Sequence, residues 1–338
     1  MELEKPINLV FEPIAHSYTN GDTGEVFTSA TTLIGEYEKK FNTRYWAMFT
    51  ALKNAHIPVR MDKNELYITV QFIKTHINTL YENKLYERLA ENVKATWKAK
   101  TDKANKRGNK IHDYLEDTIN ESRGDVQAKD NSLITPLSIK GETSTELVIF
   151  RTKHDLDKTD LQETYPIIYK RLLMYIEGGC TLIAEKRIYT SKYMVAGMID
   201  VLVVRGKYFW IVDWKSNKDE MKFTSGYYKK ILVDGEWTRS DIWMPTDDKM
   251  SVPIQGLAKC KGVKYSLQLS LYSFMMELWG YTPAKNHLEI FHIRPRRKPL
   301  LIKVKYYRQE IISLLEHNLE RTGIQNINDK PKRGFGII

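Results

Sequence analysis

The chain has 338 residues, of which 42% are hydrophobic, and it carries 52 Lys and Arg against 42 Asp and Glu. These values indicate a folded globular protein, either one large domain or a core with a smaller lobe, and the formal net charge of +10 favours a polyanionic partner. Because Cys180 and Cys260 are the only cysteines, a disulfide framework and a four-cysteine zinc or iron–sulfur site are excluded within one chain.

The amino-terminal sequence MELEKPINLV lacks the basic segment and apolar run that a secretory leader has. No run in the chain reaches the roughly 18 apolar residues of a membrane span. We therefore expect a cytoplasmic protein that has no membrane partner.

The first hundred residues predict a lobe of their own. Residues 7–30 contain two short β-type runs around the turn sequence NGDTG, which is a hairpin signal. From Thr31 to about Leu115 the apolar residues recur at helical spacing, as in Leu33, Tyr37 and Phe41. We assign residues 1–100 to an N-terminal hairpin and a mostly helical lobe.

Residues 101–338 predict an α/β core with two polar insertions, near 121–163 and near 217–262. A helix is expected from about Tyr165 to Glu177, followed by three apolar β-runs that end at YFWIVDWKS. An amphipathic helix, KYSLQLSLYSFMMELWG, then precedes two more strands and a last helix near 307–322. This order predicts a central mixed sheet between helices.

Two of the β-runs carry charged residues in an otherwise apolar hairpin, GMIDVLVVRGKYFWIVDWKSNK. Residues two apart in a strand share a face, so Asp213 and Lys215 point the same way and Trp214 points the other way. Pairing across the turn near Gly206 brings Asp200 close to Asp213. Two close carboxylates repel each other unless a cation lies between them.

Asp200 and Asp213 supply the hard oxygen ligands that Mg²⁺ takes, together with substrate phosphate oxygens and water. An amine such as Lys215 can orient or deprotonate the attacking water, or neutralise charge in the transition state. A D-x-K triplet alone is typical of a solvated strand end. The preceding mid-strand Asp200, which needs a partner or a metal, shifts the interpretation towards phosphodiester hydrolysis.

Together with two further motifs, these residues resemble the PD-(D/E)XK nucleases, in their RecB-like exonuclease branch. The branch has G-x-x-x-H on an upstream helix, here GNKIHDYLE with His112, then G-x-x-D, here Gly197 and Asp200. It continues with D-x-K, here Asp213 and Lys215, and with Q-x-x-x-Y, here Gln268 and Tyr272. The resemblance covers about residues 105–300, and it is the four motifs in order that make it specific.

The resemblance implies an α/β restriction-endonuclease-like core that binds one or two Mg²⁺ or Mn²⁺ ions. In that family the His and the two Asp bind metal, a backbone carbonyl beside the second Asp completes the shell, here that of Trp214, and the Lys assists the water. Gln268 and Tyr272 would face the active site and DNA. Glu185 matches an acidic position less securely, as a further ligand or as an ordinary strand carboxylate. The cysteines of the iron–sulfur subgroup are missing, so no such cluster is expected.

Positive charge is concentrated in two segments beside the motifs. These residues are Arg294, Arg296, Arg297 and Lys298 between the last two strands, and Lys229 and Lys230 in the second insertion. Such runs are usually solvated surface, but next to a phosphodiesterase site they would hold DNA phosphates. Tyr227, Tyr228 and Trp243 would either pack within the insertion or stack on unpaired bases.

The sequence thus favours a metal-dependent DNA exonuclease in recombination, repair or phage genome processing. It would act on DNA with a free end and a single-stranded portion, alongside recombination or replication proteins, in the host cytoplasm if phage-encoded. Two alternatives stay open: a structure-specific endonuclease on the same fold, and a non-catalytic nucleic-acid-binding subunit.

Overall fold

The computed structural model describes residues 7–12, 17–55, 61–62, 65–66, 70–121, 149–233 and 236–323. Within the helix that ends at Glu121, the side chains from residue 109 onward lie outside this description. Among the described residues, no helix has both the length and the apolar character needed to cross a bilayer.

The chain divides into a larger unit, residues 1–38 and 112–338, and a smaller unit, residues 39–111. The elements up to Glu121 are β1 (Leu9–Glu12), β2 (Ser17–Asn20), β3 (Val26–Ser29), α1 (Ala30–Glu36), α2 (Thr43–Asn54), β4 (Met61–Asp62), β5 (Glu65–Leu66), α3 (Val70–Thr75), α4 (Ile77–Glu82) and α5 (Lys84–Glu121). The remainder are β6 (Ile149–Phe150), α6 (Lys153–Asp157), α7 (Leu161–Thr164), α8 (Pro166–Glu177), β7 (Thr181–Thr190), β8 (Val195–Arg205), β9 (Tyr208–Lys215), β10 (Gly226–Val233), β11 (Glu236–Pro245), α9 (Lys261–Leu278), β12 (Thr282–His292), β13 (Leu300–Lys303) and α10 (Arg308–Thr322).

A mixed sheet forms the centre of the larger unit, as the element order predicts. Within the described residues this sheet has nine strands. Seven of them lie side by side in the order β1, β2, β3, β8, β9, β12 and β13. In addition, β7 pairs with β8, and β6 pairs with β7. The β3–β8 and β9–β12 pairs are parallel, and the other pairs are antiparallel. The turn between β8 and β9 contains Gly206 at φ 58°, a conformation that glycine adopts without strain.

The N-terminal hairpin belongs to this sheet. β2 and β3 pair around the NGDTG turn, with Tyr18 opposite Phe27, and β3 then runs parallel to β8 through Thr28 and Val195. The sequence predicts one lobe for residues 1–100 that includes this hairpin, whereas the structure joins the hairpin to the larger unit through backbone pairing. The smaller unit has its own apolar core, which includes Met48, Leu52, Ile73 and Ala90.

Helices cover both faces of the central strands. The buried apolar cluster that contains Leu267 and Met275 of α9 also contains Phe209 and Ile211 of β9. Helix α8 packs against the β9 residues that alternate with these two, since the centre of the Tyr175 ring lies 5.6 Å from that of Trp210. Neighbouring residues of a strand point to opposite faces, so α8 and α9 lie on opposite sides of the sheet. An ion pair between α8 and β12 fixes this packing, because Arg171 binds the fully buried carboxylate of Glu289.

Both predicted insertions contain regular structure where they are described. Residues 149–164 form β6, α6 and α7, and the rest of the first insertion lies outside the described residues. In the second insertion β10 and β11 pair as a separate antiparallel hairpin, with Tyr228 opposite Trp243. Its polar, lysine-rich sequence does not indicate strands, because this strand pair has no apolar face packed in the main core.

A buried histidine gives the fold a pH-dependent stability. His287 on β12 is 6% exposed and its Nε2 lies 2.8 Å from the Ser273 hydroxyl, and burial lowers the pKa of His287 from the usual 6.5 to about 4. The unfolded chain therefore takes up this proton at a higher pH than the folded chain. Stability from this group is complete above about pH 6.5 and falls by as much as about 3 kcal/mol as the pH drops to about 4.

We expect urea unfolding at neutral pH and at about pH 4.5 to show this loss in the parent protein. The His287→Gln variant keeps a hydrogen-bonding side chain but lacks the titration, so its loss between the two pH values should be smaller. Equal losses in the two proteins would contradict the assignment.

Candidate active site

Backbone pairing between β8 and β9 ends next to Asp200 and Asp213, the two aspartates predicted to bind a metal ion. The paired residues run from Arg205 and Tyr208 to Val201 and Val212, and the same register continued would set Asp200 opposite Asp213. Instead, the Asp200 carboxylate accepts a 2.8 Å hydrogen bond from the backbone N–H of Trp214. We call this opening, bordered by Asp200, Asp213 and Trp214, the strand fork.

The backbone of Trp214 faces the fork. The next carbonyl, that of Lys215, accepts a 2.8 Å hydrogen bond from the N–H of Ile293 on the side of β12. Since successive residues of a strand direct their N–H and C=O groups to opposite edges, those of Trp214 point towards β8. The fork therefore contains the Trp214 carbonyl as well as the carboxylate of Asp200. The Trp214 ring lies away from it, 5.7 Å from Phe291.

Lys215 lies against the second aspartate. Its Nζ is 2.7 Å from Asp213 Oδ2, and the two side chains are 16% and 2% exposed. Burial lowers the pKa of Lys215, but the carboxylates of Asp213 and Asp200 raise it by more, so the pKa lies above the usual 10.5. In this arrangement the ammonium group of Lys215 forms an ion pair with Asp213.

Helix α9 delivers the Gln and Tyr of the fourth motif to the same place. Gln268 Nε2 donates a 3.0 Å hydrogen bond to the Tyr272 hydroxyl. Burial, followed by the nearby Tyr18 and the carboxylates of Asp213 and Asp200, raises the pKa of Tyr272 well above 10. Tyr272 therefore stays a neutral hydroxyl, near both aspartates.

Gly197 leaves the space that the Tyr272 ring occupies. A Cβ atom on Gly197 would lie 2.4 Å from Cε1 of Tyr272, closer than real Cβ contacts come. The glycine of the second motif and the tyrosine of the fourth are thus packing partners. This contact explains why a residue without a side chain stands three positions before Asp200.

The structure also brings the less secure Glu185 towards the fork. It lies between Ala184 and Lys186, which pair with Val201 and Ile199, so it falls in line with Asp200 on the neighbouring strand. Its φ of 49° interrupts the regular strand. Burial raises the pKa of Tyr18 on β2, and the carboxylates of Glu185 and Asp200 raise it further against the opposing charge of Arg187.

Two tyrosines of the site were missed at the level of sequence. The Nζ atom of Lys215 lies 4.9 Å from the centre of the Tyr265 ring. The Tyr265 hydroxyl donates a 2.8 Å hydrogen bond to Asn217 Oδ1. It stands three residues before Gln268 on the same helix, a spacing that would have indicated it. Tyr18 had no such signal, because it reaches the site only through the pairing of β2, β3 and β8.

The remaining predicted site residues divide into three groups. His112 lies on α5, and its side chain lies outside the described residues. In the loop after β12, Arg294 is half-buried and Arg296, Arg297 and Lys298 are exposed. This loop begins beside Lys215, because β9 and β12 are parallel and His292 lies opposite Lys215. Lys229 and Lys230 are exposed on β10.

The donor set suits a hard divalent cation. The described residues contain no group of three or more His, Cys, Asp or Glu side chains arranged for a metal. Mg²⁺ needs only one or two protein carboxylates in addition to carbonyl, phosphate and water oxygens. Asp200, Asp213 and the Trp214 carbonyl fit that requirement. Cys180 and Cys260 are free cysteines, the first buried and the second half-buried.

No family model matches the chain, and neither the curated proteins nor the solved structures compared with it give a match. The geometry of the strand fork and the motifs that form it are therefore the evidence for its function.

The contact between Gly197 and Tyr272 predicts the effect of adding one methyl group. Gly197→Ala should lower the free energy of unfolding by about 1 to 3 kcal/mol, since the ring and the backbone have to separate. Denaturant unfolding measures this loss. In a Tyr272→Leu background the same substitution should cost less, because the ring is gone. Equal losses in the two backgrounds would show that the ring is not what Gly197 accommodates.

Proposed function

We propose that this protein is a divalent-metal-dependent DNA exonuclease with a restriction-endonuclease-like core of the RecB-like type. One observation carries the proposal: the strand fork gathers two buried carboxylates, Asp200 and Asp213, with the half-buried ammonium group of Lys215. The four motifs in order add support. We also propose that it acts in the cytoplasm on recombining, repaired or phage DNA.

The proposed roles follow from the positions of the groups. Asp200, Asp213 and the Trp214 carbonyl would hold Mg²⁺ or Mn²⁺, with His112 and Glu185 as further ligands. The bound ion would polarise the scissile phosphate and activate water. Lys215 would neutralise charge that develops on the phosphate, since it is a cation held beside the carboxylates. The Tyr272 hydroxyl, with Gln268 bound to it, would donate a hydrogen bond at the same place.

The basic loop between β12 and β13 would bind the DNA backbone. It leaves the sheet at the edge where β9 ends with Lys215, so its exposed Arg296, Arg297 and Lys298 stand on the same edge as the proposed chemistry. Contacts of this kind hold the strand without reading its sequence.

Digestion of end-labelled linear DNA beside a closed single-stranded circle tests the activity. We expect the parent protein to degrade only the linear DNA, with Mg²⁺ or Mn²⁺ and not with EDTA. Asp213→Asn keeps the shape of the side chain but removes its charge, and it should abolish the reaction. The matched control is Asp102→Asn, a change at an exposed residue of α5, which should leave the rate unchanged.

The other outcomes of this experiment separate the alternatives. Cutting of the circle would replace the exonuclease by an endonuclease. DNA binding without cleavage in either metal would favour a non-catalytic subunit. Equal rates for the parent and Asp213→Asn would rule out the strand fork as the active site.

Lys215→Ala tests the role of the ammonium group separately from binding. Loss of a charge that acts in the transition state should lower the cleavage rate by about 100- to 1,000-fold. DNA affinity in EDTA should change little, because the phosphate contacts lie elsewhere. Single-turnover cleavage and fluorescence anisotropy measure the two quantities. Unchanged cleavage by this variant would contradict the mechanism.

A further inference from the structure

A cavity of about 300 Å³ lies beside the second insertion, between the β10–β11 hairpin and the start of α9. Asn217, two residues after Lys215, is part of its wall. The same Asn217 accepts the hydrogen bond from Tyr265, whose ring faces Lys215. A series of contacts, from Asn217 to Tyr265 and from Tyr265 to Lys215, thus connects the wall of the cavity with the strand fork.

Aromatic side chains form one side of this cavity. Tyr228 and Trp243 line it, with ring centres 5.0 Å apart and planes at 73°. Trp243 Nε1 donates a 3.2 Å hydrogen bond to Thr224, which fixes the indole. The Arg239 guanidinium lies 3.8 Å from the centre of the Tyr228 ring and is paired with Asp219 at 2.9 Å. Both rings are therefore held in place before any ligand binds.

Tyr227, the neighbour of Tyr228 on β10, also lines the cavity and is 58% exposed. Successive residues of a strand point to opposite faces, so its ring lies on the other face of the hairpin from the rings of Tyr228 and Trp243, which are paired across the strands. The aromatic side of the cavity is therefore the pair Tyr228 and Trp243.

The charge of the lining favours an anionic ligand. Lys222, Lys259 and Lys261 line the cavity, and Asp219 and Glu220 are its carboxylates. Asp219 is paired with Arg239, and Glu220 is paired with Lys222 at 2.7 Å. With Arg239 included, four cationic side chains accompany two carboxylates here, so the net charge around the cavity is positive.

We infer that this cavity binds one unpaired base of the nucleic-acid strand that enters the strand fork, with the flanking phosphates on the lysines. The inference rests on the proposed function and deepens it. Every base presents a π-face, so stacking on tyrosine and tryptophan tolerates any sequence. The cavity lies at the lower end of the size range of small-ligand pockets, so it accommodates one base and excludes a duplex, whose bases are already stacked. The substrate strand is therefore single-stranded at the site.

The test measures binding in EDTA, so that it does not depend on cleavage. The probe is a single-stranded oligodeoxythymidylate with one 2-aminopurine placed at successive positions. We expect quenching at one position on the parent protein and loss of that quenching with Trp243→Leu. Affinity should fall about tenfold with Tyr228→Ala, the usual effect of losing one stacked base. Binding of a duplex of the same length should change little.

Tyr208→Ala is the matched control. Tyr208 is 45% exposed and stands at the turn end of β9, away from Lys215, so its loss should leave strand binding unchanged. Equal strand binding by the parent, the Tyr228→Ala variant and the Trp243→Leu variant would overturn the inference. Competition by free thymidine monophosphate as effective as the strand itself would also overturn it, because the ligand would then be a nucleotide.

The two proposals fail in different ways. If the parent cleaves DNA and the aromatic variants bind the strand normally, the cavity is not a base site, but the exonuclease hypothesis is supported. If the aromatic variants lose strand binding but no metal supports cleavage, the base site is supported and the exonuclease hypothesis is contradicted.

Discussion

The end of the β8–β9 ladder at Val201 and Val212 is the constraint on which the site depends. A strand that leaves its partner inside a protein exposes backbone donors that cost free energy if they stay unbonded. Here the carboxylate of Asp200 takes the place of a β8 carbonyl and accepts the N–H of Trp214. The separation is therefore stable, and it gives room to Asp213 and Lys215, whose strand continues along β12.

Packing from α9 holds the other side of this opening in place. The Tyr272 ring lies where a side chain on residue 197 would be, so the sheet and the helix approach more closely at the fork than a Cβ would allow. Close approach brings the hydroxyl of Tyr272, bound to Gln268, within the field of both aspartates. Motifs that lie far apart in the sequence are thus one packed unit, and a change in either affects the other.

Local patterns in the sequence predicted much of this arrangement. The apolar runs of β8 and β9 and the period-two rule placed Asp213 and Lys215 on one face, and helical spacing put Gln268 beside Tyr272. Long-range pairing was not visible in the same way. Tyr18 joins the central sheet next to β8 only because β3 pairs with β8, and no local signal encodes that partner. The β10–β11 hairpin is local, with Val233 opposite Glu236, but its polar sequence does not indicate strands.

The parallel pairing of β9 and β12 brings the two proposed parts of the site to one edge of the sheet. Both strands end at the same edge, so the chain after Lys215 leads to Asn217 and the aromatic cavity, while the chain after His292 leads to the basic loop. Under the proposed function, phosphate contacts and base stacking would come from these connections, and the acids and the amine from the strands themselves. Connections tolerate changes in sequence that strands do not, because they carry fewer buried contacts. On that proposal, substrate preference could change without disturbing the carboxylates of the strand fork.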